Sequence, residues 1–325
     1  MPSAGWRPST PPLDIDLASG QCGLRPWSQI DQYRGDTREG SEMNEATDEA
    51  TAGPLDDVTD SGVFQTVLDG YDALYDALPN SRVFTEIWAT NAYGADFPDD
   101  FAHIGFLTVD EGRHLLQLLR LGANDVLVDV ACGAGGPGLW AAQQTGATLM
   151  GVDPSAAGLA AARRRAERVG LTSRATFQQG TFEQTGLPDA SAVGAISIEA
   201  FQYAPDKRAA LAELHRILRP GARIGIVCFE VDPSKVAGLP VQGVDPHPDY
   251  APILEAAGFA VEAYEETPGW ASRVYGTFEA LVEAANALAA DLGERAAAGV
   301  LAEATLTVQT RPYPRRILLV AKRLD

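Results

Sequence analysis

Cysteine is scarce in this chain of 325 residues, which holds only Cys22, Cys132 and Cys228. Their odd number and wide separation offer no disulfide framework, which points to a reducing compartment, the cytoplasm. CxxC, HxxxH and HExxH patterns are absent and histidine occurs four times, so no metal site is expected. Basic residues are outnumbered 44 to 25, for a formal charge of −19. Such a surface repels phosphate polyanions and anionic lipid, so neither nucleic acid nor a membrane is an expected partner. No apolar run approaches the roughly 20 residues that cross a bilayer. Met1 to Arg7 show no positive stretch leading into an apolar one, so no secretory leader is expected. What is present, with 46% hydrophobic residues, is a globular composition suited to work on small molecules. None of these features specifies an oligomeric state.

The chain divides by texture. Residues 1–60 are broken by Pro8, Pro11, Pro12, Gly20, Gly23 and Gly35, and then carry Glu45, Asp48, Glu49, Asp56, Asp57 and Asp60 with no basic residue after Met43. Such a segment buries too little apolar surface to offset its ordering entropy and is expected to be a disordered tail, with Met43 an alternative first residue. Residues 61–121 read as helices: Val63, Val67, Tyr71 and Tyr75 at helical spacing, then Val83 to Tyr93, then Asp110 to Leu121, capped by Asp110 and ended by Gly122. From residue 122 strands alternate with helices. Strands are expected at 126–130, 147–152, 175–179, 192–198, 223–229, 259–264 and 316–322. Helices are expected at 155–169, 206–218, 250–257, 278–292 and 294–306. This alternation defines an α/β fold with a parallel sheet covered on both faces, whose ligands sit beyond the carboxyl ends of the strands.

The chemistry concentrates where the first of these strands meets a glycine-rich turn, Val128-Asp129-Val130-Ala131-Cys132-Gly133-Ala134-Gly135-Gly136-Pro137-Gly138. A turn of this kind opening a helix offers unpaired N–H groups and a positive dipole end to a ligand. Gly133 to Gly138 also fit GxGxxG, so a nicotinamide dinucleotide is one reading. Asp129, four residues before the first glycine, argues the other way: a carboxylate there repels a pyrophosphate and can hold an ammonium. Asp153, closing the next strand, suits ribose hydroxyls under either reading. Cys132 has no evident partner and reads as a small packed residue.

The turn resembles the first motif of the class I S-adenosylmethionine (SAM)-dependent methyltransferases, and later segments follow that family's order. Gly151-Val152-Asp153-Pro154-Ser155 resembles its ribose motif, and Gly180-Thr181-Phe182 with Gly186-Leu187-Pro188-Asp189 its adenine-side loop. Ala195 to Tyr203 resembles the strand beside the reacting centre, and Leu218-Arg219-Pro220-Gly221 the turn before strand five. The nearest flavour is the small-molecule group of quinone, sterol and sarcosine methyltransferases. The resemblance implies a Rossmann-like, doubly wound, seven-stranded, mostly parallel sheet with the last strand antiparallel. It also implies a cofactor domain over 122–325, and a lid made by the N-terminal helices and an insert at about 270–310. It implies SAM as cofactor and in-line methyl transfer to a small-molecule acceptor. Ala131, Gly133 and Gly135 would cradle the methionine part, with Asp129 at its amino group. Asp153 would take the ribose, Pro154 the adenine face, and Gly180, Thr181 and Phe182 the adenine edge. Glu199 would line the methionine and substrate side. Thr181 stands where the family commonly has an acid. Trp88, Phe106, Phe201 and Tyr203 are candidates for the substrate pocket, and His103 and His247 for a general base. The competing readings are an NAD(P)-dependent oxidoreductase and a SAM-binding partner protein without catalysis.

Overall fold

The computed structural model describes residues 61–78, 81–94, 96–235, 247–311 and 314–325, and the expected tail over 1–60 lies outside them. Seven strands form one sheet: β1 (Val126–Val130), β2 (Thr148–Asp153), β3 (Ala175–Gln179), β4 (Ala192–Ile198), β5 (Leu218–Val231), β6 (Phe259–Glu266) and β7 (Pro314–Arg323). Their order is β3-β2-β1-β4-β5-β7-β6. Strands β1 to β5 pair in parallel, and β7 enters antiparallel between β5 and β6. The Rossmann-like sheet with its antiparallel last strand is therefore the one expected. The order reverses between β1 and β4, so the crevice beyond their carboxyl ends is the natural ligand site.

The period-2 alternation of the strands supplies two cores. Leu127, Leu149, Ile196, Val227 and Leu318 face one, with Leu115, Leu119, Leu139 and Trp140 of α3 (Val109–Leu119) and α4 (Gly136–Thr145). Val128, Val130, Val152, Ile224 and Leu319 face the other, with Leu211, Leu214 and Leu254 of α6 (Lys207–Ile217) and α7 (Ala251–Ala256). Helix α5 (Ala156–Arg168) follows β2, its Ser155 cap accepting from the Gly158 N–H at 2.8 Å. The remaining helices, α1 (Ser61–Ala77), α2 (Arg82–Asn91), α8 (Trp270–Glu283), α9 (Ala285–Leu292) and α10 (Glu294–Thr310), gather above the strand ends.

Among the boundaries that differ from expectation, those of two helices do so for local reasons. Helix α3 is capped by Thr108, not Asp110. Thr108 Oγ1 accepts from the Glu111 N–H (3.2 Å) while Glu111 Oε2 accepts from the Thr108 N–H (3.1 Å), a reciprocal box that satisfies two otherwise unpaired donors. The helix ends at Arg120 in the left-handed region (φ 56°), two residues before Gly122. Helix α8 begins at Trp270, well before the expected Phe278, because Trp270, Val274 and Tyr275 bury the same face that Phe278 and Leu281 continue. Within 61–121, α1 and α2 reach the cavity, whereas Leu115 and Leu119 of α3 pack against Gly225 in β5.

Candidate active site

A cavity of about 530 Å³ opens beyond the carboxyl ends of β1, β2 and β4. That volume lies within the range usual for ligand sites. Its floor is the turn after β1. Gly135 caps α4 from the left-handed region (φ 73°), the conformation glycine adopts at no steric cost. A side chain there would meet Ala162 Cβ at 3.0 Å and Phe177 Cε1 at 3.3 Å, and Gly135 does not line the cavity. These contacts show that Gly135 seats the turn on α5 and β3. Ala131 adopts φ 60° although it carries a Cβ, a strain that the surrounding pairing must hold in place.

Two buried carboxylates face this floor. Asp153 ties the turn to β2, with Oδ2 accepting from the Gly133 N–H at 2.7 Å and Oδ1 from the Ser155 N–H at 2.8 Å. Asp129 lies under the start of α4, and any Cβ on Gly138 would strike its carboxylate. Burial pushes Asp129 up to about 7, with the negative Asp153 adding to the rise. Burial likewise pushes Asp153 up to about 6, against the two backbone N–H donors that pull it down. Among the described residues neither carboxylate has a salt-bridge partner. Buried negative charge without a cation is costly, so this end of the cavity is built to receive a positively charged ligand. A sulfonium nucleoside with a free ammonium meets that requirement, and a dinucleotide pyrophosphate does not.

Ala131, Gly133, Pro154, Gly180, Thr181, Phe182 and Glu199 also line the cavity. The Thr181 hydroxyl accepts from the Gln184 N–H (3.2 Å), so it holds its own turn, and Glu183 places a carboxylate on the same wall. Glu199 stands at φ 55°, its carboxylate pinned by the Phe106 N–H (2.6 Å) and by Arg316 Nε (2.5 Å). Arg316 is fully buried and also donates to Glu111 Oε1 (3.1 Å) and Thr267 Oγ1 (2.8 Å). Arg273 makes a further ion pair with Glu111. The network joins α3, β4, β7 and α8 beneath the cavity.

The remaining candidates separate. Trp88 and Tyr203 line the cavity, while Phe106 and Phe201 do not. Phe106 packs between Trp88 and Phe278, and Phe201 between Phe182 and Tyr250, so both are core. His103 reaches the cavity but stacks on Tyr93 (centroids 4.7 Å apart) and against Phe97 (4.6 Å). Burial, aided by the Arg165 cation, lowers it to about 3, so at neutral pH it is a poor proton acceptor. His247 is not a lining residue: its ring stands 5.8 Å from that of Tyr250. Neither histidine is therefore placed as a base. The sequence reading passed over Tyr71 and Tyr75 as ordinary helix members, yet both line the cavity, with Tyr75 packed over Gly133 and Gly158. It also passed over Arg165, whose Nη1 donates to the Ala134 carbonyl at 3.0 Å. The i, i+4 spacing of the two tyrosines was the available signal.

A seven-stranded sheet of this order, with a glycine turn and an acid closing β2, defines a nucleoside-binding protein of the class I methyltransferase fold. The comparisons agree. A family described as a methyltransferase domain matches residues 128–226. The 27-O-demethylrifamycin SV methyltransferase of Amycolatopsis mediterranei (strain S699) is 27% identical over 66% of this chain and 83% of its own length. Two further methyltransferase relatives match across 41% and 35% of their own lengths. Among solved structures, the [4+2]-cyclase SpnF superposes with a TM-score of 0.64 at 21% identity, covering 80% of this chain and 97% of that one. A geranyl diphosphate methyltransferase in complex with SAM gives a TM-score of 0.53 at 21% identity, covering 66% and 85%. Residues 128–226 are therefore a methyltransferase domain on the class I fold, and S-adenosyl-L-methionine is the cofactor that this family and its methyltransferase-named relatives support. Nothing in these matches supports the oxidoreductase reading.

Proposed function

We propose that the acceptor is a largely apolar small molecule bearing a hydroxyl group, and that its oxygen receives the methyl. The observation that carries this is the mixed lining of one cavity: the carboxylates of Asp129 and Asp153 together with Phe84, Trp88, Ile104, Tyr71 and Tyr203. The carboxylates suit the cationic cofactor, and the aromatic lining suits a hydrocarbon frame with an occasional polar tip. Relatives named for rifamycin and sterol methylation support a largely apolar small-molecule acceptor, and the 27-O-demethylrifamycin SV methyltransferase, named for an oxygen, supports the hydroxyl.

In this reading Asp153 takes the ribose, Asp129 the ammonium, and the Gly133 region the methionine part, while Pro154, Phe182 and Glu183 frame the adenine. When bound, the cofactor supplies an electrophilic methyl on a cationic sulfur. The chain's own task is to bind, orient and exclude water. Alignment of acceptor and methyl can supply about 7–11 kcal/mol of the barrier. Residues 61–94 and the insert at about 270–310 act as the lid. Tyr75 rests on Gly133 and Gly158, so loading the cofactor requires α1 to lift. The acidic chain works in the cytoplasm, apart from nucleic acid and membranes; no described helix is long and apolar enough to cross a bilayer.

The test incubates the full chain with methyl-labelled SAM and a panel of hydroxylated polyketides, sterols and terpenoids, and maps the label by mass spectrometry. Label on a hydroxyl oxygen is the expected product. Label on nitrogen or carbon overturns the acceptor assignment, and absence of S-adenosylhomocysteine (SAH) binding by calorimetry overturns the site.

A further inference from the structure

If a hydroxyl is methylated its proton must leave, and the residues usually suspected are unsuited. His103 is held neutral between two aromatic rings, and His247 stands away from the cavity. Glu199 is engaged by Arg316 and the Phe106 N–H. Asp129 and Asp153 face the cofactor end. A different set of groups meets on the wall formed by α1 and the turn after β4. Tyr71 of α1 and Tyr203 of the short turn after β4 both line the cavity. Their rings meet edge-on at 6.3 Å and their hydroxyls are hydrogen-bonded. Behind them Glu303, on the insert helix α10, is hydrogen-bonded to Tyr203. Three elements far apart in sequence thus place two phenols and a carboxyl in one row that starts at the cavity wall.

We propose that Tyr71, Tyr203 and Glu303 form a proton relay that carries the acceptor's hydroxyl proton out of the cavity to Glu303. This rests on the methyl-transfer reading above. A carboxylate only accepts, so the Tyr203 hydroxyl donates to Glu303, and the Tyr203 oxygen accepts from Tyr71. As the acceptor oxygen bonds to the methyl carbon, the carbon–sulfur bond breaks with its electrons left on sulfur. The acceptor proton passes to Tyr71 oxygen, the Tyr71 proton to Tyr203, and the Tyr203 proton to Glu303. Both phenols end neutral and Glu303 ends protonated, to be discharged to solvent. Tyr71 is the catalytic residue here, and Tyr203 and Glu303 act through it.

The electrostatics support the direction of travel. Desolvation pushes Glu303 up to about 7, against the Tyr203 hydrogen bond that pulls it down. That places it close to the pH at which a base both stays ionised and accepts readily. The other titratable groups that face the row are Tyr75 on α1, Asp153 at the end of β2 and Glu199 at the end of β4. On the helices packed against α10, Arg273 pairs with Glu111, Glu279 with Arg311, and Asp291 accepts from the Val83 N–H, while Glu283 is exposed. Lys207, four residues after Tyr203, donates to the carbonyls of Gln202 and Ala204.

The experiment uses the full chain with glutamate labelled at the side-chain carboxyl carbon, titrated by NMR with SAH bound. One carboxyl signal titrating near neutrality, missing in Glu303→Gln, is expected. The phenol carbons of Tyr71 and Tyr203 should shift at the same midpoint, and Tyr203→Phe should uncouple Tyr71 from it. With an acceptor from the panel, Glu303→Gln and Tyr71→Phe should each lower kcat by about 10²-fold, remove the acidic limb of the pH profile, and leave SAH affinity unchanged. Glu303 titrating in the ordinary carboxylate range, or a kcat and pH profile that survive both substitutions, overturns the relay. If Glu303→Gln fails to fold, Tyr203→Phe decides by the same readouts. Failure of wild-type chain to bind SAH would instead sink the underlying reading.

Discussion

Replacing Asp129 by asparagine removes the charge while keeping the shape, and the structure gives the change a size and a pH dependence. Burial lifts this carboxyl from 3.8 to about 7. Because the folded value lies above the unfolded one, the folded state binds the extra proton. The associated stability is complete below about pH 4 and is lost as pH rises through 7. At pH 8 the ionised form therefore opposes folding of the ligand-free chain by about 4 kcal/mol. Asparagine escapes this but still buries a polar amide, which costs about 1–3 kcal/mol unless fully bonded, so a net gain of about 2 kcal/mol is expected. For a domain of this size that raises Tm by about 4–8 °C. In the proposed binding mode the same substitution deletes a charge-assisted contact to the cofactor ammonium worth about 1.5–3 kcal/mol, so SAH should bind roughly 10- to 150-fold more weakly. Calorimetric melts at pH 5 and pH 8, with SAH titrations at pH 8, measure both effects. A gain at pH 8 that vanishes at pH 5, paired with weakened binding, is the expected signature. A melting temperature at pH 8 equal to or below wild type would refute the account of an uncompensated buried charge.

Further outcomes follow from neighbouring contacts. Asp153→Ala frees the N–H groups of Gly133 and Ser155 as well as the ribose site, and SAH affinity should fall by about 2 kcal/mol or more; an unchanged dissociation constant in titration calorimetry contradicts the ribose role. Arg316→Met leaves the Glu199 carboxylate buried without its cation and should lower stability by about 3–5 kcal/mol in denaturant unfolding, with a loss under 1 kcal/mol counting against the network. Gly135→Val meets Ala162 and Phe177 in a left-handed backbone and should destabilise the ligand-free chain by several kcal/mol; normal melting with lost binding would mean that Gly135 serves the ligand directly. Wild-type affinity for SAM should weaken as pH falls through 7 and 6, where Asp129 and Asp153 take up protons; a flat pH profile of binding would remove the carboxylates from cation recognition.

How far the sequence could be read depended on whether a feature was local. The Val128-to-Gly138 turn, Asp153 and the strand alternation are short-range patterns, in which glycine, a buried apolar run and an acid at a strand end each have few structural meanings. They determined the Rossmann-like sheet and the family resemblance. The antiparallel last strand came through the family resemblance, while the order β5-β7-β6 was decided by the tertiary structure, since pairing partners cannot be read from one strand's own period. What only the tertiary structure decided are the roles that depend on neighbours distant in the chain. It packed Gly135 under Ala162 and Phe177, which leave no room for a side chain. It neutralised His103 through Tyr93, Phe97 and Arg165, and set Phe201 and Phe106 in the core. It brought Glu303 to Tyr203 across 100 residues of chain. A side chain's ionisation and accessibility are set by what surrounds it in space, and dehydration and charge act over ångströms, not along the sequence.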